Sequence, residues 1–79
     1  MSKYIYSVLD IGGDIIDEEQ FATKQECIKH LQTELVLDEH EEIIDGDIEA
    51  VFFYKVPDDF QHGVDELTDY YEVYRLTSY

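Results

Sequence analysis

Carboxylates are the side chains in this sequence that could do chemistry, and they are densest in residues 37–49, LDEHEEIIDGDIE. Seven of these thirteen residues are acids, and His40 is the one other ionisable residue among them. Oxygen ligands at fixed intervals are what a calcium-binding EF-hand loop requires, together with a glycine at its centre. A loop that begins at Asp45 places Ala50 where the glycine belongs. A loop that begins at Asp10 places Ile15 there. We therefore expect no specific calcium site.

A second metal-binding pattern is the series Glu26, His30 and Glu34, which are spaced four residues apart. On a helix this spacing places all three side chains on one face, where they could hold a divalent metal ion. A solvated helix face beside Lys29 accounts for the same spacing, and we favour that interpretation. No metal site is predicted.

Catalysis has little support in the sequence. Two adjacent acid pairs could exchange protons, Asp58-Asp59 and Glu18-Glu19, but neighbouring residues of a strand point to opposite faces. Cys27 falls in an apolar stripe, where a cysteine acts as a small core residue and not as a nucleophile. There is no glycine-rich phosphate loop in the sequence. We expect a protein that is not an enzyme and has no cofactor.

Composition favours a folded domain with an unusually acidic surface. The 79 residues form one domain, 1–79. Of these residues 44% are hydrophobic and 14% are aromatic, which is near the average of globular proteins. Twenty acids face five bases, so the net charge is −15. Solubility needs a net charge of only about 2–8 in magnitude, and more charge adds self-repulsion. The excess indicates a basic partner, a cation or a salty environment.

The cysteine count, the start of the sequence and the net charge indicate the cellular compartment and whether the protein contacts a membrane. One cysteine, Cys27, allows no internal disulfide, which fits a reducing cytosol. The beginning of the sequence shows no secretory signal, and its acid-free runs are too short to span a membrane. The negative charge opposes binding to anionic lipid and direct binding to nucleic acid. We expect a cytoplasmic protein without membrane contact.

The first elements that must position these acids form a hairpin. Residues 4–11 predict a strand with two apolar faces, which is typical of a central strand. Its predicted faces are Ile5, Leu9 and Ile11 on one side and Tyr4, Tyr6 and Val8 on the other. Gly12-Gly13-Asp14 then predicts a turn, and residues 15–20 predict a short return strand.

A helix is predicted next, over residues 24–36. In TKQE, residues 23–26, Thr23 can cap the helix while Glu26 reaches back to the Thr23 amide as a capping box. An apolar stripe at helical spacing follows, and Val36 and Leu37 could extend the helix. The stripe consists of Cys27, Ile28, Leu31 and Leu35.

The second half of the sequence predicts two more strands. The acidic stretch is either a short helical turn over 38–44 or an irregular strand that ends at Ile43-Ile44, before a turn at Asp45-Gly46. Residues 48–56 predict a strand, 58–69 a connection that could hold a short helix, and 70–78 the last strand. The expected fold is α+β: a small antiparallel ββαββ-like sheet with one main helix packed on one face.

Regular spacing within the acidic stretch could imitate the phosphates of a nucleic acid. Asp45, Asp47 and Glu49 have strand spacing, whereas Asp38 with Glu42, or Glu41 with Asp45, has helix spacing. The residues that we expect at the partner-binding surface are Asp14, Asp17, Glu18, Asp38, Glu39, Glu41, Glu42, Asp45, Asp47, Glu49, Asp65, Glu66, Asp69 and Tyr71. Of the seven tyrosines, at least four should pack on the sheet, and those expected to be partly exposed are Tyr70, Tyr71, Tyr74 and Tyr79.

In size, charge, cysteine content and aromatic content the chain resembles the small acidic DNA-mimic inhibitors of bacteriophages and mobile elements. Anti-restriction proteins, anti-CRISPR proteins and the uracil-DNA glycosylase inhibitor belong to this class. The resemblance covers the whole chain but includes no motif, and the class contains unrelated folds. It implies a non-catalytic inhibitor that occupies the basic cleft of a host nucleic-acid-binding or defence enzyme, in the host cytoplasm if phage-encoded.

Two other interpretations fit the same charge. An acidic regulatory module, such as an antitoxin or a small chaperone, would bind a basic partner without imitating nucleic acid. In a halophile-like protein the acids would serve hydration alone. The sequence also leaves a homodimer open.

Overall fold

Four antiparallel strands form one sheet, in the order β2-β1-β3-β4, with an α-helix on one face. The computed structural model describes residues 2–61 and 63–78. Its elements are β1 (Ser2–Asp10), β2 (Ile15–Phe21), α1 (Lys24–Thr33), β3 (Ile48–Pro57), a 3-10 helix (Leu67–Asp69) and β4 (Glu72–Thr77). The predicted α+β, ββαββ-like fold is confirmed.

Strand β1 is central because both of its faces are apolar. It pairs with β2 on one side and β3 on the other. Tyr6 and Val8 belong to the core beneath α1, whereas Ile5 belongs to a smaller cluster on the opposite face. The predicted alternation of β1 is therefore right. Ile11 is the exception, since it lies beyond the end of the strand and is exposed.

The helix begins where the sequence predicts. Thr23 has an extended backbone and its Oγ1 accepts a hydrogen bond of 3.1 Å from the Glu26 amide. The reciprocal bond of a capping box, from the Thr23 amide to the Glu26 carboxylate, is not seen among the residues described. Cys27, Ile28 and Leu31 are buried as the apolar stripe predicts.

The helix ends earlier than the predicted residue 36. Leu35 has a φ of 61°, in the left-handed region, and its amide donates to the Gln32 carbonyl at 3.2 Å. The Val36 amide donates to the Leu31 carbonyl at 2.9 Å. These two bonds form a Schellman motif, which usually has glycine at the left-handed position. Leu35 is consequently 70% exposed, and its assignment to the buried stripe is wrong.

The acidic stretch forms a short hairpin-like loop and contains no helical turn. Leu37 and Ile43 make an isolated antiparallel bridge. The Asp38 amide donates to the Glu42 carbonyl at 2.9 Å, and the Ile44 amide donates to the Val36 carbonyl at 2.9 Å. The predicted helical turn over 38–44 is therefore wrong, and the irregular strand was the better alternative. The predicted turn at Asp45-Gly46 is present, closed by a 3.1 Å bond from the Ile48 amide to the Asp45 carbonyl.

The connection between β3 and β4 covers part of the second sheet face. Phe60 is buried against Ile5 and Val56, with Tyr70 in edge contact at a ring distance of 5.4 Å. Tyr71, next along the chain, is 93% exposed. Tyr70 and Tyr74 are half-buried. The expected exposure of Tyr79 lies outside the described residues.

Candidate functional site

More than half of the chain's acids collect at one end of the sheet, here called the acidic end. It comprises the tip of the β1–β2 hairpin, residues 10–17, and the segment 34–49. These two segments contain eleven acids and no lysine or arginine. The acids are Asp10, Asp14, Asp17, Glu34, Asp38, Glu39, Glu41, Glu42, Asp45, Asp47 and Glu49.

Long-range pairing brings the two segments together. Asp10 pairs with Ile48 in the sheet, and the Ile11 amide donates to the Asp47 carbonyl at 3.0 Å. Asp10 and Asp14 of the hairpin thus lie beside the turn that precedes β3. Sequence spacing could not have shown this contact, because the residues are more than thirty positions apart.

The opposite end of the sheet carries most of the bases. Lys3 near the start of β1 is paired with Val56, which follows Lys55 near the end of β3. Lys24 opens α1 just after β2 ends, and its Nζ lies 3.9 Å from the centroid of the Tyr74 ring. Asp58 and Asp59 follow β3 at this same end, so the lysine-bearing end carries charges of both signs, whereas the acidic end carries acids without lysine or arginine.

Some carboxylates of the acidic end shape its turns. Asp10 Oδ1 accepts hydrogen bonds from the amides of Gly12, at 3.0 Å, and Asp14, at 2.9 Å. Asp45 Oδ1 accepts from the Asp47 amide at 2.9 Å. Aspartate favours such turns because its short side chain reaches backbone amides two residues further along. These acids fix the loops and keep negative charge at the surface.

Asp38 shapes the acidic loop in the same way. Its Oδ1 accepts from the His40 amide at 2.8 Å and from the Glu42 amide at 3.0 Å. Amides that donate to a carboxylate favour its charged form. The Glu42 amide, more than any other group, lowers the pKa of Asp38 below its ordinary value, and the His40 amide adds to the effect. Asp38 is therefore ionised at neutral pH.

Other carboxylates of the acidic end point to solvent. Asp14, Glu39, Glu42 and Asp47 are exposed, and Glu39 lies 3.5 Å from His40 Nε2 in a contact that is itself exposed. Exposed charges attract a partner with little desolvation cost until contact is made. These four carboxylates are therefore open to contact from outside the molecule.

The predicted regular rows of carboxylates are wrong. Of Asp45, Asp47 and Glu49, only Glu49 lies in a strand, because β3 begins at Ile48. Helix spacing over residues 38–45 is also absent, since this stretch is a loop. Turn geometry, and not strand or helix periodicity, sets out the carboxylates.

A second group of predicted residues lies outside the acidic end. Glu18, Asp65 and Glu66 line an open cleft of about 370 Å³ beside the connection 63–68. Asp65 Oδ2 accepts a 2.8 Å bond from the Gln61 amide, so it also forms a turn. Asp69 is exposed in the 3-10 helix, and the exposed Tyr71 precedes β4. The structure thus divides the predicted surface into two groups.

A polar cluster that the sequence did not predict joins β1, β2 and α1. The Tyr6 hydroxyl lies 2.9 Å from Asp17 Oδ2 and 2.7 Å from Glu19 Oε2. His30 Nε2 lies 2.7 Å from the same Glu19 oxygen and 3.6 Å from Glu34. Burial above all, and then the two carboxylates, raise the pKa of Tyr6 far above its ordinary value. The signal was available, because Asp17, Glu19 and Phe21 alternate on the β2 face that borders Tyr6.

This cluster changes the interpretation of the helix pattern. His30 and Glu34 do meet, but Glu26 lies in the first turn of α1, and Glu19 of β2 takes its place beside His30. Within residues 2–61 and 63–78, no three His, Cys, Asp or Glu side chains are arranged to hold a metal ion.

Cys27 is a core residue, as predicted. It lies on the buried face of α1, and burial is the main reason that its pKa is raised to about 12. The thiolate, which is the nucleophilic form of cysteine, is therefore scarce at neutral pH.

Among the described residues, no helix has the length and apolar character needed to cross a membrane. Searches against protein-family models, characterised proteins and solved structures found no match to this chain.

Proposed function

We propose that this protein is a non-catalytic inhibitor that binds, through its acidic end, the basic cleft of a nucleic-acid-binding or defence enzyme. Restriction enzymes, CRISPR nucleases and similar host enzymes have clefts of this kind. One observation carries the proposal: eleven acids without a lysine or arginine lie at one end of the fold. A net charge of −15 exceeds what solubility requires. Because the acids are concentrated at one end, the molecule has one end that a basic surface would attract.

Such a surface would act by electrostatic steering. A cleft that binds phosphates has a strong positive potential, which attracts and orients a molecule with one acidic end. The lysine-bearing end, with Lys3, Lys24 and Lys55, would face away from the cleft. Binding of this kind blocks nucleic acid by occupation and requires no chemical step.

The loops of the acidic end are ordered before any partner arrives. Asp10, Asp38 and Asp45 fix them through hydrogen bonds to backbone amides. A preformed surface loses less conformational entropy on binding than a flexible acidic tail would. This order supports a specific inhibitor over a loosely attracted polyanion.

Capture followed by competition tests the proposal. The immobilised protein is exposed to a bacterial lysate, and each captured protein is purified and measured against it at rising salt and with duplex DNA or RNA as competitor. We expect a nucleic-acid-binding enzyme whose complex weakens steeply with salt, which nucleic acid displaces, and whose activity is inhibited. Partners that nucleic acid fails to displace would contradict the proposal.

A matched pair of variants tests the role of position. E39K/E42K reverses two exposed acids of the acidic end, whereas D59K/D69K reverses two exposed acids of the β3–β4 connection. Both variants have the same net charge. We expect E39K/E42K to weaken binding at least about tenfold, a loss of about 1.4 kcal/mol, and D59K/D69K to weaken it much less. Equal losses would mean that overall charge is sufficient.

A further inference from the structure

Exposed aliphatic side chains are concentrated at the acidic end. Eight large hydrophobic residues are exposed among the described residues, and five of them lie in segments 10–17 and 34–49. Isolated exposed aliphatics are normal on protein surfaces. Their accumulation at the most charged end needs a reason. The five are Ile11, Ile15, Ile16, Leu35 and Ile44.

Three of them belong to the tip of the β1–β2 hairpin. Ile11, Ile15 and Ile16 are 68%, 50% and 55% exposed. Ile16 is skipped in the pairing of β2 with β1, because the register shifts there, so the strict alternation of neighbouring side chains is interrupted at this point. They flank a turn in which Gly13 has a φ of 88° and no other atoms crowd the position of a side chain. The hydrogen bond from Ile11 to Asp47 holds this apolar tip beside the carboxylates of the acidic end.

Leu35 adds a second, independent observation. A non-glycine residue in the left-handed region is strained, and glycine is the usual choice at this position of a Schellman motif. Leu35 has this conformation and also exposes 70% of its surface, so it serves the fold poorly in two ways. The Ile44 amide donates to the Val36 carbonyl, so a second exposed aliphatic residue, Ile44, is bonded to the neighbour of Leu35. A strained residue that exposes apolar surface indicates a role outside the fold.

We propose that these five aliphatic side chains form the apolar part of the binding surface, and that the partner is a basic protein surface with an apolar groove bordered by lysine or arginine. This inference rests on the proposed function and names the chemistry of the partner. Protein interfaces combine a buried apolar centre with a polar rim. Charge complementarity selects the occupant, because carboxylates surround the apolar groups. A second copy of this chain would bring eleven acids against eleven acids.

Two synthetic peptides test the inference on the full chain. One is an amphipathic helix of leucine and lysine, and the other has serine in place of each leucine and the same charge. Fluorescence anisotropy gives both affinities at about 0.15 M and about 1 M salt. The Debye length is about 8 Å at the lower concentration and about 3 Å at the higher one. We expect the leucine peptide to bind at least about tenfold more tightly, and to keep this advantage at the higher salt. Equal affinities would overturn the inference.

Matched variants locate the contact. I11T/I16T and L35G should weaken binding of the leucine peptide and leave binding of the serine peptide unchanged. V64T, which changes an exposed aliphatic residue outside the acidic end, should alter neither. L35G should also raise the melting temperature, because glycine suits the left-handed position, so weaker binding could not be attributed to unfolding. Unchanged leucine-peptide binding in both acidic-end variants would overturn the inference.

Two further measurements separate this inference from the proposed function. E39K/E42K should weaken binding of both peptides. Unchanged binding by this variant would contradict the role of the carboxylates but would leave the role of the aliphatic side chains open. Sedimentation of the chain alone reports self-association. A dimer that I11T/I16T dissociates would assign the apolar groups to a second copy and overturn the proposed partner.

Discussion

At the scale of single residues, the acids of this protein divide into those that build turns and those that face solvent. Asp10, Asp38 and Asp45 each accept a backbone amide two residues along the chain. Glu39 and Glu42 share the Asp38 loop but are exposed. A dense acidic segment can therefore fold, because part of its charge is held by amides that need an acceptor.

The Asp38 carboxylate predicts a specific dependence of stability on pH. Its pKa is lowered in the folded state, so its contribution is present above the ordinary aspartate pKa of about 3.9 and is lost as the pH falls through the lowered value. Asp38→Asn keeps an oxygen acceptor but does not titrate. We expect the variant to be less stable than the wild type at neutral pH, and the difference to shrink below about pH 4. Urea unfolding at a series of pH values measures it.

Glu42→Gln is the matched control for this prediction. Glu42 lies in the same loop and is exposed, and its backbone rather than its carboxylate takes part in the Asp38 turn. Glu42→Gln removes one negative charge from the loop but leaves the acceptor of the two amides in place, so it shows what the loss of a charge alone does. A constant difference between Asp38→Asn and the wild type would show that the charge of Asp38 contributes nothing to the loop.

At the scale of elements, local patterns predicted most of the fold. The two apolar faces of β1, the glycine turn before β2 and the capping residue Thr23 are all signals carried by neighbouring residues. Strand β3 was predicted to within one residue of its observed end at Pro57. These elements were predictable because each pattern matches the geometry that it adopts.

The remaining features depend on contacts that sequence patterns do not contain. Leu35 ends α1 without a glycine or proline, because the amides of Leu35 and Val36 turn back to helix carbonyls while Leu37 enters the core. The two acidic segments lie together because the Ile11 amide donates to the Asp47 carbonyl, and these residues are far apart in the sequence. Composition predicted an acidic surface but could not predict which acids would meet.

Tyr6 links three elements, which leads to a second prediction. Its hydroxyl contacts Asp17 and Glu19 of β2, and Glu19 continues to His30 of α1. Tyr6→Phe removes the donor while both carboxylates remain open to water. We expect a loss of about 1 kcal/mol in the free energy of unfolding at neutral pH, measured by urea titration.

The same variant should change the alkaline limb of the stability profile. The pKa of Tyr6 is raised in the folded state, so its contribution is complete below the ordinary tyrosine pKa of about 10 and is lost as the pH rises further. The stability of the wild type should therefore fall more steeply above about pH 10 than that of Tyr6→Phe. Tyr71→Phe is the control, because Tyr71 is 93% exposed. Parallel alkaline limbs for Tyr6→Phe and the wild type would contradict the proposed link.

At the scale of the whole molecule, the dominant property is the uneven distribution of charge. The molecule measures 34 × 25 × 17 Å, and its acidic end holds eleven of twenty acids. Crowded like charges destabilise a compact state through self-repulsion. The acidic end therefore costs stability, and the proposed inhibitory role would explain why that cost is retained.

The distance over which charges interact provides the last prediction. At about 0.01 M salt the Debye length is about 30 Å, and at about 0.15 M it is about 8 Å. The first distance is close to the 34 Å length of the molecule, so all of its charges interact at low salt. Under that condition E39K/E42K and D59K/D69K should raise the melting temperature by similar amounts, of about 4 °C or more.

At the higher salt concentration, only neighbouring charges still repel one another. E39K/E42K should then keep most of its stabilising effect, because the reversed residues lie among the other acids of the acidic end. D59K/D69K should lose most of its effect. Thermal unfolding followed by circular dichroism at both salt concentrations measures the four shifts. Equal shifts for the two variants at about 0.15 M would mean that the acidic end has no local excess of repulsion, and the electrostatic basis of the proposed binding surface would be lost with it.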